Sequence, residues 1–462
     1  MSLGELQVGP EASYELQLKG CGRSPFSRGF DGRAVVRSSI REFLASEAMF
    51  HLNVSTTRAL CVIGTGEQIQ RPWYEATSTS SSEDELKRRF ISGKYPPNVI
   101  KSEAGAVVCR VSPSFCRFGH LELFAIRGEF RELLELADYI CRREFPNLLS
   151  VEAPGRYVEM FREIVRSNAA LVADWIRVGY VQGNMNSDNT CLNGRTIDYG
   201  PYGWVEAFDP KYQPFTSDRD GKFSFFSQPQ AMQVNVHVLG ERAFVPLIRE
   251  AGKVALISDE KIDGYIEELY KIATEGFQND FFLAFNEVRR RKLGFKTFSN
   301  TNQLDESIWT TLVGLLQNSK ADYTIFFREL CHAANSKGPD EAFLRVSPSF
   351  YANITEDTRV LWIQWMDSYL IRLASDAVPT DERLRTQLSA NPEYILRNWM
   401  SVKAYESAEL GDFSVVQEIL QVLTDPYAID ESKAGEFRQK WYSKAPSWAE
   451  SMPGCSFFSC SS

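Results

Sequence analysis

Histidine is scarce in this chain, with His51, His120, His237 and His332 the only four. Its nine cysteines (Cys21, Cys61, Cys109, Cys116, Cys141, Cys191, Cys331, Cys455 and Cys460) never form a Cys-x-x-Cys pair or another zinc-type spacing. A structural zinc site is therefore not expected, and reduced thiols are. Positive charge is short as well: 51 Lys and Arg against 60 Asp and Glu give a net charge of −9 and a pI of about 5.3. A nucleic-acid binder usually presents a basic surface, so no nucleic-acid partner is expected. No apolar run reaches the length of a membrane-spanning helix, which argues against membrane insertion. The first twenty residues contain neither a signal-peptide core nor an Arg-rich presequence. There is no internal repeat.

What is present suits a large globular protein. Hydrophobic residues make up 44% and aromatic residues 13%, and a chain of 462 residues calls for two or three units. Residues 13–19, SYELQLK, alternate: Tyr14, Leu16 and Leu18 share one face, and Glu15, Gln17 and Lys19 the other. That pattern predicts a strand with a polar face turned toward something. A glycine-rich loop follows at 20–33, then a helix over 38–52, capped by Ser38 or Ser39 and buried along Ile40, Phe43, Leu44 and Ala48. Residues 71–104 change to serine-rich and then charged sequence, which reads as an inserted loop. Strand character resumes at GAVVCRVSPS. From about residue 122 the pattern is helical, and beyond 240 it stays so. The expected organisation is α+β: a strand-rich unit over 1–121 carrying the insertion, a helical unit over 122–240, and a helical extension over 241–462.

The chemistry concentrates in a few places. Lys19 on the polar strand face and Glu42 in the first helix have the order of the kinase Lys–Glu pair that positions phosphates. The 20–33 loop lets backbone approach a phosphate closely, although it matches no Walker pattern. Arg110 and Arg117, across a Ser-Pro-Ser turn, could converge on one anion. In NMNSDNTCLNGRTIDYGPYG, residues 184–203, the LNG turn and the short strand RTID predict a hairpin that gathers Asp188, Asn189 and Asp198. Such hard oxygen ligands suit magnesium against nucleotide phosphates. Taken singly, each feature is also what an ordinary solvated surface offers; their order along one chain carries the argument.

That order resembles a protein-kinase-like fold with its nucleotide between two lobes. Kinases carry His-x-Asp-x-x-x-x-Asn and then Asp-Phe-Gly. Here the spacing is Gln182-x-Asn184-x-x-x-x-Asn189, then Asp198-Tyr199-Gly200. Asn184 stands where the general base belongs, and an amide cannot accept the substrate proton. Asp188, next to Asn189, is a displaced carboxylate.

This constellation is similar to the selenoprotein O family of protein adenylyltransferases. The resembling segments are LQLKGCGRSPFSRGFDGRAVVRSSIREFLASEAM, RVSPSFCRFG, the 184–203 stretch, NPEYILRNWM and GDFSVVQEIL, which together span nearly the whole chain. The resemblance implies a pseudokinase fold that holds ATP flipped and transfers AMP to Ser, Thr or Tyr hydroxyls of proteins. It implies a Lys19–Glu42 ion pair, nucleotide contacts from Asp31 and Gly32, and phosphate contacts from Arg110 and Arg117. It implies Asp188 as proton acceptor, with Asn189 and Asp198 holding magnesium and Asp198 also near the ATP. It implies a mitochondrial address, with the cytoplasm as the alternative.

Three departures stand out. Gln182 replaces the family's usual histidine. The terminal cysteine of the family corresponds to Cys460, but its partner after the active-site stretch is missing around KYQPFTSD. Family members carry an upstream GDGR-type loop, whereas the tetrad of that type here is Phe30-Asp31-Gly32-Arg33. The alternatives are a nucleotide-binding pseudokinase scaffold and, further off, a protein kinase. Deleting residues 76–92, a polar low-complexity stretch, is expected to leave the melting temperature and activity near wild type. A drop of many degrees in a thermal melt would show instead that the stretch belongs to a packed element.

Overall fold

The structure, a computed structural model of the chain, describes residues 1–462 except 10–11, 26, 28, 74–98, 428–434, 451, 453 and 456–462. Five strands build one antiparallel sheet: β1 (Ser2–Gln7), β2 (Ser13–Lys19), β3 (Ala34–Val35), β4 (Arg58–Trp73) and β5 (Val99–Ser112). Strand β5 is the spine and pairs with β2, β3 and β4. Its register sets Gln17 opposite Arg110 and Lys19 opposite Val108. Side chains alternate along a strand, so Gln17, Lys19 and Arg110 share one face.

The insertion expected over 71–104 is shorter at both ends. Residues 71–73 close β4 and 99–104 open β5, paired from Trp73↔Val99 to Gln68↔Ala104. The serine-rich and charged run between these ends hid this, because the few strand residues on either side of it are too short a stretch to show an alternating pattern. Residues 74–98, the rest of the expected insertion, lie outside the described residues, as does Cys460.

Helix α1 (Val36–His51) starts two residues before the expected position. Ser38 does serve its N-terminus, but from inside the first turn: its Oγ donates to the Val35 carbonyl at 3.2 Å and accepts from the Val35 N–H at 3.4 Å. The apolar stripe is buried at Ile40, Leu44 and Ala48 and half-buried at Phe43. Arg37, Arg41, Glu42 and Glu47 are buried too. They are buried because α1 is wedged between the sheet and a later helix.

The rest is helical from α2 (Phe118–Arg127) onward, through α3 (Phe130–Glu144) and the long α4 (Gly155–Val178). After α4 comes a two-stranded sheet, β6 (Tyr180–Val181) with β7 (Gly203–Trp204), which brackets residues 182–202. Helix α5 (Phe277–Leu293) lies along α4, α6 (Tyr323–Ala333) follows, and α7 (Asn398–Glu409) packs on α1. The class is α+β. One large apolar core runs from α1 through the helical part, from Leu44 and Met49 past Phe161 and Val172 to Phe326 and Trp399.

At the start of α6, Asp322 caps the helix by accepting from the Ile325 N–H at 3.0 Å. It also takes a two-pronged pair from Arg397, at 2.7 and 3.0 Å. Both side chains are buried. Asp322→Ala leaves that guanidinium buried with only the longer 3.8 Å contact to Glu206, so it is expected to cost about 3–5 kcal/mol. Urea titration followed by circular dichroism measures it.

Candidate active site

The face of the sheet that bears Lys19 and Arg110 meets α1 at Glu42. The Glu42 carboxylate accepts from the Lys19 ammonium and from Arg110 Nε, one on each oxygen. Asp198 closes the ring: its Oδ1 lies 3.1 Å from Lys19 Nζ and 2.7 Å from Arg110 Nη2. Two cations and two carboxylates thus alternate around one point. Glu42 and Arg110 form its floor, with side chains 2% and 6% exposed, while Lys19 and Asp198 keep 29% and 31% of theirs open. A ligand entering the cleft would meet those two first. Glu47, the next glutamate of α1, is committed elsewhere, to Arg58 at 2.6 and 2.8 Å.

The stretch that holds Asp198 is not the expected hairpin. Residues 195–198 form no strand, and the two arms of the turn do not pair with each other. Cys191 bridges to Arg117 and Thr196 to Thr56. Turn residues signal a reversal, but the partners of its arms lie far away in sequence. Helix α4 holds the turn from beneath, where buried Asn168 donates from Nδ2 to the Cys191 and Leu192 carbonyls, each at 3.3 Å. Gln182, at the position of the kinase histidine, braces the other end, donating at 2.7 Å to the Ile197 carbonyl. Asp198 itself sits at φ +61, a left-handed conformation uncommon outside glycine.

Asp188 and Asn189 lie in a single 3-10 turn, Ser187–Asn189. Asn189 is oriented by donation from its Nδ2 to the Asn184 carbonyl at 3.4 Å. Arg117 reaches over this turn, its Nη1 donating to the Asp188 carbonyl at 3.0 Å. Its Nη2 donates to Gln17 Oε1 at 3.1 Å, and the same oxygen accepts from Arg110 Nη1 at 3.4 Å. Gln17 therefore ties the two arginines together. It was not singled out in the sequence, although its place on the polar face of β2, between Glu15 and Lys19, was the available signal.

Asp31 and Gly32 stand apart from this cluster. The 20–33 loop closes on itself through a Cys21↔Arg33 bridge and a Gly22 N–H to Gly32 carbonyl bond of 3.0 Å. A side chain at Gly32 would collide with the Gly22 carbonyl at 2.1 Å, and its φ is +66. Asp31 is turned to Arg71, which grips it at 2.8 and 3.0 Å. Arg71 lay inside the expected insertion, so this partner was not visible from the sequence.

The charges reinforce one another. Burial alone would raise the Asp198 and Glu42 pKa values, but Lys19 and Arg110 outweigh it and hold both below the ordinary carboxylate range. Burial would lower the Lys19 pKa, but Asp198 and Glu42 raise it above the usual lysine value. Depressed carboxylates stabilise the fold above their unfolded pKa, and that contribution disappears as pH falls through the folded value. A raised lysine contributes below its unfolded pKa and loses that as pH rises through the folded one. The cluster therefore stays ionised throughout the neutral range and weakens only in strong acid or strong base.

On the ATP-binding expectation that the resemblance implies, Gln17→Met, close in shape but without the shared acceptor, is expected to lower ATP affinity by about tenfold, the worth of one hydrogen bond to a charged group. Isothermal calorimetry measures it. Unchanged affinity would show that the arginines keep their places without Gln17.

Comparison with known proteins places this geometry. The family model described as protein adenylyltransferase SelO matches residues 1–83 and 97–424. Protein nucleotidyltransferase YdiU of Flavobacterium johnsoniae is 38% identical over 452 residues, covering 97% of this chain and 78% of that protein. Its namesake in Rhodopirellula baltica is 37% identical over 479 residues, covering 100% and 80%. That of Xanthomonas euvesicatoria is 38% identical over 467 residues, with the same coverage. These relatives are bacterial and lend no support to the mitochondrial expectation. Among the described residues, no helix is long and apolar enough to cross a membrane. By family model and by relatives alike, the chain belongs to the SelO family of protein adenylyltransferases.

Proposed function

We propose that this protein binds ATP in a kinase-like cleft and transfers its AMP to Ser, Thr or Tyr hydroxyls of other proteins. The observation that carries the reading is the juxtaposition of two things. A four-charge cluster of Lys19, Glu42, Arg110 and Asp198 is joined through Gln17 and Arg117 to a turn carrying Asp188 and Asn189. At the kinase base position, three residues before that turn, stands an amide, Asn184.

In this reading Lys19, Arg110 and Arg117 bind phosphate oxygens, and Asp31 and Gly32 approach the nucleotide from the loop. With the terminal phosphates held inward by the arginines, the α-phosphate faces the acceptor protein. Asp188 takes the proton from the attacking hydroxyl. A bond forms between that oxygen and the α-phosphorus, the bond from the α-phosphorus to the bridging oxygen breaks, and pyrophosphate leaves. The cations offset the charge that develops.

The donor set fits magnesium. That ion takes one or two protein oxygens and completes its shell with substrate phosphates and water. Asn189, its amide nitrogen turned to Asn184, and Asp198, whose two cations both bind Oδ1, would supply those oxygens. No group of three His, Cys, Asp or Glu side chains suited to a metal occurs among the described residues, so a cage made wholly of such ligands is not the form expected. When bound, the ion would neutralise phosphate charge and help pyrophosphate depart.

ATP labelled separately at the α and γ positions, with casein as acceptor, tests the reading. Transfer of the α label alone is expected; γ labelling would mark a kinase, and labelling by neither a scaffold. Asp188→Ala is expected to cut transfer by about 10²–10⁴-fold while ATP still binds. Asn184→Asp, which restores a kinase-type base, is expected to create no γ transfer. Asp198→Ala is expected to abolish magnesium-dependent ATP binding in a protein that remains folded by circular dichroism.

A further inference from the structure

Gly119 lies in the first turn of α2, and its backbone does not require a glycine. Its φ is not among the positive values in this chain. Glycine weakens a helix relative to alanine, so its presence there calls for another reason. The reason is space. A Cβ on Gly119 would lie 2.7 Å from Asp188 Oδ1, and 3.7 Å from the Asp188 Cα and backbone nitrogen. The place a side chain would take is filled by the Asp188 carboxylate.

The backbone around Asp188 is pinned to the same segment. Arg117 Nη1 donates to the Asp188 carbonyl at 3.0 Å. The Phe118 N–H donates to the Thr190 carbonyl at 3.0 Å, and the Leu192 N–H to the Cys116 carbonyl at 3.1 Å. With the main chain held on both sides, a Cβ at 119 could be accommodated only by turning the carboxylate out of its place. We infer that Gly119 is a positioning residue for the Asp188 carboxylate, so that residues 116–119 form the seat of the group that receives the substrate proton. This rests on the reading of Asp188 as proton acceptor.

The test uses the full chain with magnesium-ATP, α-labelled ATP and casein. Four variants are compared with wild type: Gly119→Ala, Asp188→Ala, the two combined, and Asp188→Glu. Gly119→Ala is expected to lower kcat by about 10²-fold, the loss a misplacement of about 1 Å brings. Its KM for ATP is expected to stay near wild type and its melting temperature to hold or rise, since alanine favours the helix. The combined variant is expected to be no slower than Asp188→Ala alone, because a seat has nothing to hold once the carboxylate is gone. Near-wild-type kcat in Gly119→Ala, with Asp188→Ala inactive, overturns the seat and leaves the proton acceptor standing. Losses that multiply in the combined variant also overturn it. Wild-type rates in Asp188→Ala overturn the reading itself, and the seat with it. Should Gly119→Ala fail to fold, Asp188→Glu decides. Asp188 is exposed, so a side chain one methylene longer carries its carboxylate outward past the seat. The kcat of Asp188→Glu is expected to fall as far as that of Asp188→Ala, and near-wild-type turnover overturns the inference.

Discussion

Glu42 is the charge on which the site depends. Its side chain is 2% exposed, and an ionised carboxylate in such a place is tolerable only with partners close by. Those partners come from two neighbouring strands, Lys19 on β2 and Arg110 on β5, both directed at one turn of α1. Removing both would strand a buried charge, a penalty of about 3–5 kcal/mol. The register of β2 on β5 and the seating of α1 are therefore fixed together. Asp198 completes the charge balance from the far side, and its left-handed backbone is held by the braces on either flank of its turn.

The other polar residues of α1 extend the same logic in three directions. Arg37 grips Glu103 of β5 at 2.8 and 3.1 Å. Arg41 donates to the Tyr202 carbonyl at 3.2 Å, while the Tyr202 hydroxyl donates back to the Arg41 carbonyl at 2.9 Å. Glu47 takes Arg58 of β4. One helix is thus tied to the sheet, to the segment beyond Asp198 and to the strand that leads away from it. Sliding α1 by one turn would break several charge-assisted bonds at once, so the cleft is pre-organised on its sheet side.

Much of this was legible in the sequence, and the illegible parts have a common cause. The strict alternation of 13–19 and the spacing of Ile40, Leu44 and Ala48 are local patterns, and they gave β2 and α1. Lys19, Glu42, Arg110 and Asp198 were each singled out, and the fold brings them together. What failed was anything whose partner is distant. The turn at 192–194 was read correctly, but its arms pair with Thr56 and Arg117 instead of with each other. The polar side of α1 looked solvent-facing, but its partners stand on β2, β4, β5 and at Tyr202, most of them far away in sequence. Arg71 looked like insertion because nothing near it in sequence reveals that Asp31 waits across the sheet. The start of α1 was misplaced because a serine inside the first turn can serve the end of a helix as well as one before it.

The charges of the site also constrain what can enter it. Lys19, Arg110 and Arg117 balance Glu42, Asp188 and Asp198, so the cluster as it stands is close to neutral. A triphosphate brings several negative charges into a space where Asp198 already faces the opening. On the proposed reading, two adjustments make that tolerable. Lys19 and Arg110 share Asp198 Oδ1, so either can turn part of its hydrogen bonding to a phosphate without leaving the carboxylate unpaired. A divalent cation, for which Asn189 and Asp198 would supply oxygens, would offset part of that repulsion. Binding of nucleotide and of metal should therefore be coupled: each alone meets an unbalanced charge that the other removes. On that reading the near-neutrality of the cluster is what makes the coupling obligatory, for a site with surplus cations could hold a nucleotide unaided.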